Sequence, residues 1–187
     1  VAGLLLVAVV PASRRRPAGR ATLAVLAYAA TVILFVAANK ATTAANAIFI
    51  QDTAPLWVLF LSAWLLQERP ARADLLSIPA YGIGLVLFFF DELSPGQLVG
   101  NLLALVSGLT FALLIVGARL AREDGPVALA LGNLLAAALT LPFWTWGSTP
   151  RTVDLALLAY LGVFQLGLAY VFFGRGISRV PALEASL

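Results

Sequence analysis

The sequence predicts an all-α, polytopic membrane helix bundle, and three observations carry that prediction. The 187 residues are 61% hydrophobic and only 11% charged, whereas soluble domains carry about 25% charged residues. Six stretches of the chain approach or exceed the roughly 20 mostly apolar residues that a bilayer-spanning helix needs. The basic residues between these stretches are concentrated in alternate loops. Helices are the expected spanning element because backbone polar groups in lipid must be paired within their own segment.

The six apolar stretches can be assigned in chain order. They are Ala21–Ala38, Ala44–Gln67, Leu75–Phe90, Leu98–Ala118, Pro126–Trp146 and Leu155–Phe173. The third is short for a span, so we expect it to stand nearly upright or to borrow flanking residues. Partial apolar stretches at Val1–Ala12 and Val180–Leu187 flank the six, and we expect both to belong to further helices that are cut by the ends of the chain. Val1–Ala12 has no charged n-region and other spans follow it, which argues against a cleaved leader.

The charge pattern predicts the orientation of the bundle. Alternate loops hold ten Lys and Arg residues, against two in the loops between them, and short loops rich in these residues stay in the cytoplasm. The arginine-rich loops are therefore expected inside, while Lys40, the acidic loop Asp91–Gln97 and Arg151 are expected outside. Ser13–Arg20 carries four arginines, but between two apolar stretches it is better explained by topology and by attraction to anionic lipid than by nucleic-acid binding.

Two segments indicate an internal repeat. Ala38–Phe49 (ANKATTAANAIF) and Gly176–Leu187 (GISRVPALEASL) are each a short polar link that follows an aromatic-rich helix and leads into an alanine-rich helix start. They are 138 residues apart, and an odd number of helices, five, separates them, which inverts the second copy in the membrane. The first link carries one Lys and the second two Arg, in agreement with opposite sides. Inverted repeats are typical of secondary transporters, whose substrate site lies near the midplane between the halves.

Three segments resemble a known family. TAANAIFIQDTAPLWVLFLSAWLLQERP (residues 43–70) has an alanine-rich entry, a proline inside the helix and a closing Glu-Arg-Pro, as the family's fourth helix does. GNLLALVSGLTFAL (100–113) resembles the sixth helix, which opens the second repeat, and LGVFQLGLAYVFFGRGISRVPALEASL (161–187) resembles the eighth helix running into the ninth. Together they resemble the EamA family of the drug/metabolite transporter superfamily over nearly the whole chain.

This resemblance implies a fold and a class of function. The family fold has ten helices in two inverted five-helix repeats, and on that map the chain holds helices two to eight and the start of nine. Residues 1–92 would form the first repeat and residues 93–187 the second. The implied function is secondary transport, mostly export or exchange of small polar metabolites such as amino acids. We expect a monomer or homodimer that is embedded in lipid, in a bacterial plasma membrane.

The main candidate site is the run from Gln51 to Pro55. Pro55 donates no backbone hydrogen bond and its ring clashes with the carbonyl four residues earlier, so we predict a kink that frees the Gln51 carbonyl beside Asp52 and Thr53. Asp52 lies roughly 12 Å deep at 1.5 Å per residue, close to the midplane of a core about 30 Å thick. A carboxylate there is a candidate contact for a substrate amine or a coupled proton, with Lys40 as one possible partner. A structural carboxylate, bonded to neighbouring helices or reaching the outer water, remains the alternative.

Other polar residues within the apolar stretches extend the candidate site. Gln165, near the middle of the last stretch, is the second choice for a pocket residue, and Asn46 and Asn133 are further candidates. Asn133 and Asn101 are equally explained by hydrogen bonds between helices, worth about 0.6 kcal/mol each. Small residues at every fourth position predict two packing seams; these are Gly100, Ala104, Gly108 and Ala112, and Ala128, Gly132, Ala136 and Thr140.

The composition excludes several classes of function. The chain has no Cys and no His, which removes thiol and imidazole nucleophiles, disulfides and thiolate or imidazole metal ligands. There is no Walker-type glycine-rich loop, so an ATP-driven pump is not predicted. We expect no cofactor, no metal and no enzymatic activity. A channel or a non-transporting scaffold is the main alternative to a carrier, and an intramembrane enzyme is a weaker one because Asp52 has no acidic partner at its depth.

Overall fold

The computed structural model describes residues 1–14, 19–68, 78–84, 86–87, 97–121, 125–146 and 150–176. Every regular element within these ranges is helical, which confirms the predicted all-α class. The α-helices are α1 (Ala2–Val9), α2 (Gly19–Ala41), α3 (Ala44–Gln51), α4 (Ala54–Leu61), α5 (Leu98–Ala121), α6 (Gly125–Thr140), α7 (Thr152–Tyr160) and α8 (Ala169–Gly176). Residues 78–84 and 86–87 are also helical.

Within the described ranges, four short segments depart from α-helical hydrogen bonding. Pro11–Arg14 after α1 and Leu141–Trp146 after α6 are 3₁₀-helical. Ser62–Leu66 continues α4 as a π-helix, and Leu161–Leu168 joins α7 to α8 in the same form. π-Helical turns are uncommon and are frequent at functional sites. Hydropathy does not distinguish them from α-helix, so the sequence analysis did not predict them.

In the part of the chain that the structure describes, five helical stretches are long and apolar enough to cross a membrane. They are Ala21–Ala41, Ala44–Leu66, Leu98–Ala121, Gly125–Phe143 and Thr152–Phe173. Each coincides with a predicted stretch, and no end differs by more than three residues. The remaining predicted stretch, Leu75–Phe90, is described only in part, and Val180–Leu187 lies outside the described residues.

The chain packs as two units, of which the first comprises Val1–Ala29 and Gly117–Val180. In this unit α1 packs against α6 and against the second π-helical segment. The approach to α6 is close, since a Cβ added to Gly3 would stand only 3.0 Å from atoms of that helix. The Arg14 side chain caps the C-terminal end of α1: it donates two hydrogen bonds of 2.7 Å to carbonyl oxygens in the last turn of that helix. This is a favourable place for a cation because the carbonyl end of a helix is negative.

The second unit comprises Ala30–Val116 and Pro181–Leu187, and its last seven residues lie outside the described part. Its core lies where α2, α3 and α5 meet. The buried residues of that core are Ala38, Ala47, Ile50 and Ala104, with Phe35 and Leu103 packed around them. Small side chains dominate this core, which lets three helices approach closely. These two units differ from the predicted repeats, residues 1–92 and 93–187. The repeats and their inversion stay predictions.

The predicted packing seams can be compared with the burial of their residues. All four residues of the α5 seam are buried, so this seam is confirmed. In the α6 seam, Ala128, Gly132 and Ala136 are buried, but Thr140 is exposed, and the prediction was wrong there. The Thr140 hydroxyl donates a 2.8 Å hydrogen bond to the Ala136 carbonyl of its own helix, so it needs no partner from a neighbouring helix.

Candidate functional site

The candidate site is built on a break in the second membrane-spanning stretch. Helix α3 ends at Gln51, Asp52 and Thr53 form a turn, and α4 begins at Ala54 with Pro55 as its second residue. Because Pro55 has no N–H, the Gln51 carbonyl loses the donor that a continuous helix would supply. The turn is closed instead by hydrogen bonds from Thr53 N to Ile50 O (3.1 Å) and from Leu56 N to Thr53 O (3.0 Å). The predicted kink is confirmed, and the helix is interrupted three residues before the proline.

The backbone freed at Gln51 lies against a glycine of α5. A Cβ added to Gly108 would stand 2.9 Å from the Gln51 carbonyl oxygen and 3.3 Å from Thr53 Oγ1. Any side chain at position 108 would therefore collide with the turn. Gln51 and Thr53, the residues on either side of Asp52, therefore pack against α5 at Gly108, where no side chain intervenes.

A chain of buried and partly buried hydrogen bonds holds the same turn. Gln51 Nε2 donates to Ser107 Oγ at 2.8 Å, and Ser107 Oγ donates to the Thr31 carbonyl at 3.1 Å. Thr31 Oγ1 then donates to Thr110 Oγ1 at 3.0 Å, and Thr110 Oγ1 to the Ser107 carbonyl at 2.9 Å. Ser107 is 0% exposed. The network therefore links α2, α3 and α5 within the second unit.

Asp52 points away from this network. Its side chain is exposed, and the Tyr81 phenol lies near enough to interact electrostatically with its carboxylate. Neither Asp52 nor Lys40 forms an ion pair in the described part of the chain, so the suggested pairing of these two residues is not found. The carboxylate is thus available to a cationic group from outside the described residues.

Asn46 lies in a second polar cluster, at the start of α3. Its side chain is 0% exposed, and its Nδ2 donates to Thr42 Oγ1 at 3.4 Å and to Gln97 Oε1 at 3.3 Å. The Thr42 hydroxyl also lies 2.6 Å from Gln97 Oε1 and 2.9 Å from Asn101 Oδ1. Asn46 Oδ1 has no hydrogen-bond partner among the described residues. A buried acceptor without a partner is costly and would accept a hydrogen bond from a ligand or from water.

The two remaining candidates lie in the first unit. Asn133 Nδ2 donates to the Leu129 carbonyl of its own helix at 3.0 Å, and its side chain lies near the buried Tyr28 hydroxyl. The Tyr28 ring meets Tyr170 edge to face at 5.4 Å. Gln165 is exposed within the π-helical segment Leu161–Leu168. The hydrogen bond from Asn133 to Leu129 lies within one helix, and both interpretations of Asn133, like the binding role of Gln165, stay predictions.

Sequence analysis did not select four of the residues that organise these clusters. Ser107 and Thr31 support the turn, and Thr42 and Gln97 surround Asn46. Ser107 was hidden by its position beside Gly108 in a stripe of small residues, which suggests packing alone. A polar residue adjacent to such a seam is the available signal, because in lipid it must find a partner on the facing helix.

The arrangement favours recognition of a polar organic ligand. It combines an exposed carboxylate, a broken helix and a buried amide oxygen without a partner. Where the chain is described, no three His, Cys, Asp or Glu residues come together as metal ligands. Broken helices whose freed backbone lies beside polar side chains are characteristic of transporter binding sites.

Comparison with known proteins identifies the family. The sequence model of the EamA-like transporter family matches residues 1–90 and 98–187. An uncharacterized transporter of Archaeoglobus fulgidus is 32% identical over 170 residues, which cover 82% of this chain and 57% of the relative. The threonine/homoserine exporter RhtA of Escherichia coli K12 is 28% identical over 155 residues, 74% of this chain and 51% of the exporter. The uncharacterized transporter YwfM of Bacillus subtilis is 28% identical over 161 residues, with 82% and 54% covered.

The chain spans about half the length of the curated relatives that it matches. No solved structure matches it. With five helices able to cross a bilayer, it is an integral, multi-pass membrane protein, and its bacterial relatives point to the plasma membrane. The match covers almost every residue in two consecutive segments, and the chain belongs to the EamA-like transporter family.

Proposed function

We propose that the protein exports a small polar or amphipathic metabolite, such as an amino acid, by alternating access, with Asp52 as the charged contact of its site. Export is suggested by the relationship to a threonine/homoserine exporter. The observation that carries the role of Asp52 is the exposed carboxylate at the break between α3 and α4. A carboxylate within a membrane span is expensive unless it has a functional partner.

The neighbouring groups support a zwitterionic or amine-bearing substrate. Asp52 supplies a negative charge, and Asn46 supplies a buried neutral acceptor one to two turns earlier along α3. Six residues along a helix correspond to about 9 Å along its axis, so Asn46 marks a second polar level of this span, nearer the start of α3 than Asp52. The same carboxylate could instead carry the coupled proton, and the experiment below separates these two roles.

The test is Asp52→Asn in the full-length protein, reconstituted in liposomes and assayed by counterflow of radiolabelled L-threonine and L-homoserine. Asparagine keeps the shape and removes the charge. If the carboxylate holds the substrate amine, we expect the apparent affinity to fall by about 10- to 150-fold, since a hydrogen bond to a charged group contributes about 1.5–3 kcal/mol. If it couples a proton, exchange should persist while its pH dependence is lost.

Asp154→Asn is the matched control. Asp154 is an exposed carboxylate that accepts a 2.9 Å hydrogen bond from Arg151 N at the start of α7, and the amide oxygen of asparagine can accept the same bond. It should transport as the wild type does. Wild-type transport by Asp52→Asn at every pH would refute the assignment of Asp52. Flux that does not saturate and shows no counterflow would favour a channel over a carrier.

A further inference from the structure

We propose that Ser107 is a positioning residue for Asp52, because it anchors the turn between α3 and α4 on α5 and so sets the direction of the carboxylate. The proposal rests on the proposed function in assigning Asp52 to the transport site. The positioning itself is a statement about geometry. It can therefore be tested without knowing the substrate.

Among the described residues, the turn between α3 and α4 is held by its contacts with α5. Gln51 and Thr53 face α5, where Gly108 leaves room for the Gln51 carbonyl oxygen and the Thr53 hydroxyl at 2.9 and 3.3 Å from a Cβ position. Asp52, which lies between them, is exposed. Because Gln51 and Thr53 are held against α5, the side chain of Asp52 between them is directed away from α5.

Ser107 supplies the hydrogen bonds that hold the turn on α5. Its hydroxyl accepts the hydrogen bond from Gln51 Nε2 and donates its own proton to the Thr31 carbonyl. Both functions of the hydroxyl are thereby used, and it is completely buried. Alanine at position 107 would leave the partly buried Gln51 amide without its acceptor, an unfavourable state that we expect the side chain to relieve by turning toward water or another acceptor.

Ser107 is the one hydrogen-bond partner that the described residues offer the Gln51 side chain. Its hydrogen bond to Ser107 is the one that joins α3 to α5 at the break, whereas Thr53 Oγ1 donates within its own turn to the Ile50 carbonyl at 2.7 Å. Removing the Ser107 hydroxyl therefore releases the turn from α5 on the side of Gln51. The carboxylate of Asp52 follows, because it is the next residue along the chain.

The experiment uses the absence of cysteine from this chain. Asp52→Cys is introduced into the full-length protein on a cysteine-free background, and the rate of its reaction with a small charged maleimide is measured in liposomes. We expect Ser107→Ala to change that rate by about threefold or more, because residues that share a hydrogen-bond network are energetically coupled. Gln51→Leu, which removes the other end of the same hydrogen bond, should change it similarly. The two substitutions together should have no more effect than one.

Two controls distinguish positioning from general loosening. Ser62→Ala removes another buried hydroxyl, but one that donates only within its own helix, to Leu59 O at 3.2 Å, and it should leave the rate at position 52 unchanged. A cysteine at Lys40, an exposed residue of the same unit, should react equally fast with and without Ser107→Ala. Unchanged labelling at position 52 in both Ser107→Ala and Gln51→Leu, or equal changes at positions 40 and 52, would overturn the proposal. Wild-type transport by Asp52→Asn would refute the transport role and leave this geometric result standing.

Discussion

At the scale of single residues, Gln67 has an unusual backbone conformation. Its φ is 55°, in the left-handed region, and it is the one non-glycine residue with positive φ in the described part of the chain. It follows the π-helical segment Ser62–Leu66, and its N–H and that of Glu68 both donate to the Ser62 carbonyl. A left-handed residue with a Cβ costs roughly 1–2 kcal/mol, and the end of this helix therefore carries local strain.

Gln67→Gly should relieve that strain. Because glycine adopts positive φ without steric penalty but loses more entropy on folding, we expect a net gain of about 0.5–1 kcal/mol, seen as a higher midpoint of thermal unfolding in detergent. Gln67→Val should lower the midpoint, since a β-branched residue is least compatible with this region. Equal midpoints for the two variants would contradict the left-handed assignment.

At the scale of elements, the small face of α5 determines how closely its neighbours approach. A Cβ added to Gly100 would stand 2.6 Å from the backbone of Ala41, and one added to Gly117 would stand 3.2 Å from Ala24 Cβ. In the second unit at Gly100, and separately in the first unit at Gly117, the backbones of α5 and α2 therefore approach so closely that a side chain would not fit between them. Packing of this kind replaces the hydrophobic effect as the source of stability between helices in lipid.

Gly100→Ala tests the close approach. The added methyl group should cost about 1–3 kcal/mol, in the range of overpacked cores, and should lower the thermal midpoint in detergent. Gly84→Ala is the matched control, since a Cβ there meets nothing within 4 Å and alanine favours helix over glycine by about 1 kcal/mol. If both variants behave alike, the seam at the start of α5 is not closely packed.

At the scale of the whole molecule, the charges of the loops predict which face is cytoplasmic. Ten of the twelve basic residues fall in alternate loops, and this bias orients helical membrane proteins. The prediction needs no knowledge of the substrate. It also fixes which end of α3 is outermost, and so the side from which Asn46 is approached first.

Cysteine labelling measures this orientation directly. Ser13→Cys lies in the first arginine-rich loop and Ser94→Cys in the acidic loop. A membrane-impermeant maleimide added to intact cells should label position 94 and spare position 13. Labelling of both positions from outside would refute the orientation.

The inverted repeat is a second prediction at this scale. Thr22–Phe49 should superpose on Tyr160–Leu187 about a pseudo-two-fold axis in the membrane plane. The end of the second segment lies outside the described residues, so an experimental structure of the full-length protein is the required measurement. An axis along the membrane normal would contradict inversion.

Hydropathy and proline chemistry predicted much of this fold, and their failures have physical causes. Span ends were correct to three residues because lipid imposes a long apolar run. The kink before Pro55 was predictable from its missing donor. The π-helical segments were not predictable, because they depend on the register of the backbone hydrogen bonds. The role of Ser107 was not predictable either, because it depends on which helix faces position 107. Both are properties of packing that a single sequence does not specify.

The break at Asp52 and Thr53 has a consequence for biosynthesis. The span Ala44–Leu66 is 23 residues long, but after the break α4 and its π-helical continuation contribute only eight and five residues, so neither part alone reaches the roughly 20 residues of an unbroken spanning helix. An aspartate at the centre of an inserting helix adds about 2.5–3.5 kcal/mol. This span should therefore enter the bilayer poorly by itself, as glycosylation mapping of the isolated segment with and without Asp52→Leu would measure. We expect its stable residence to depend on α5, which leaves the ribosome later and carries Ser107 and Gly108, the residues that contact the break.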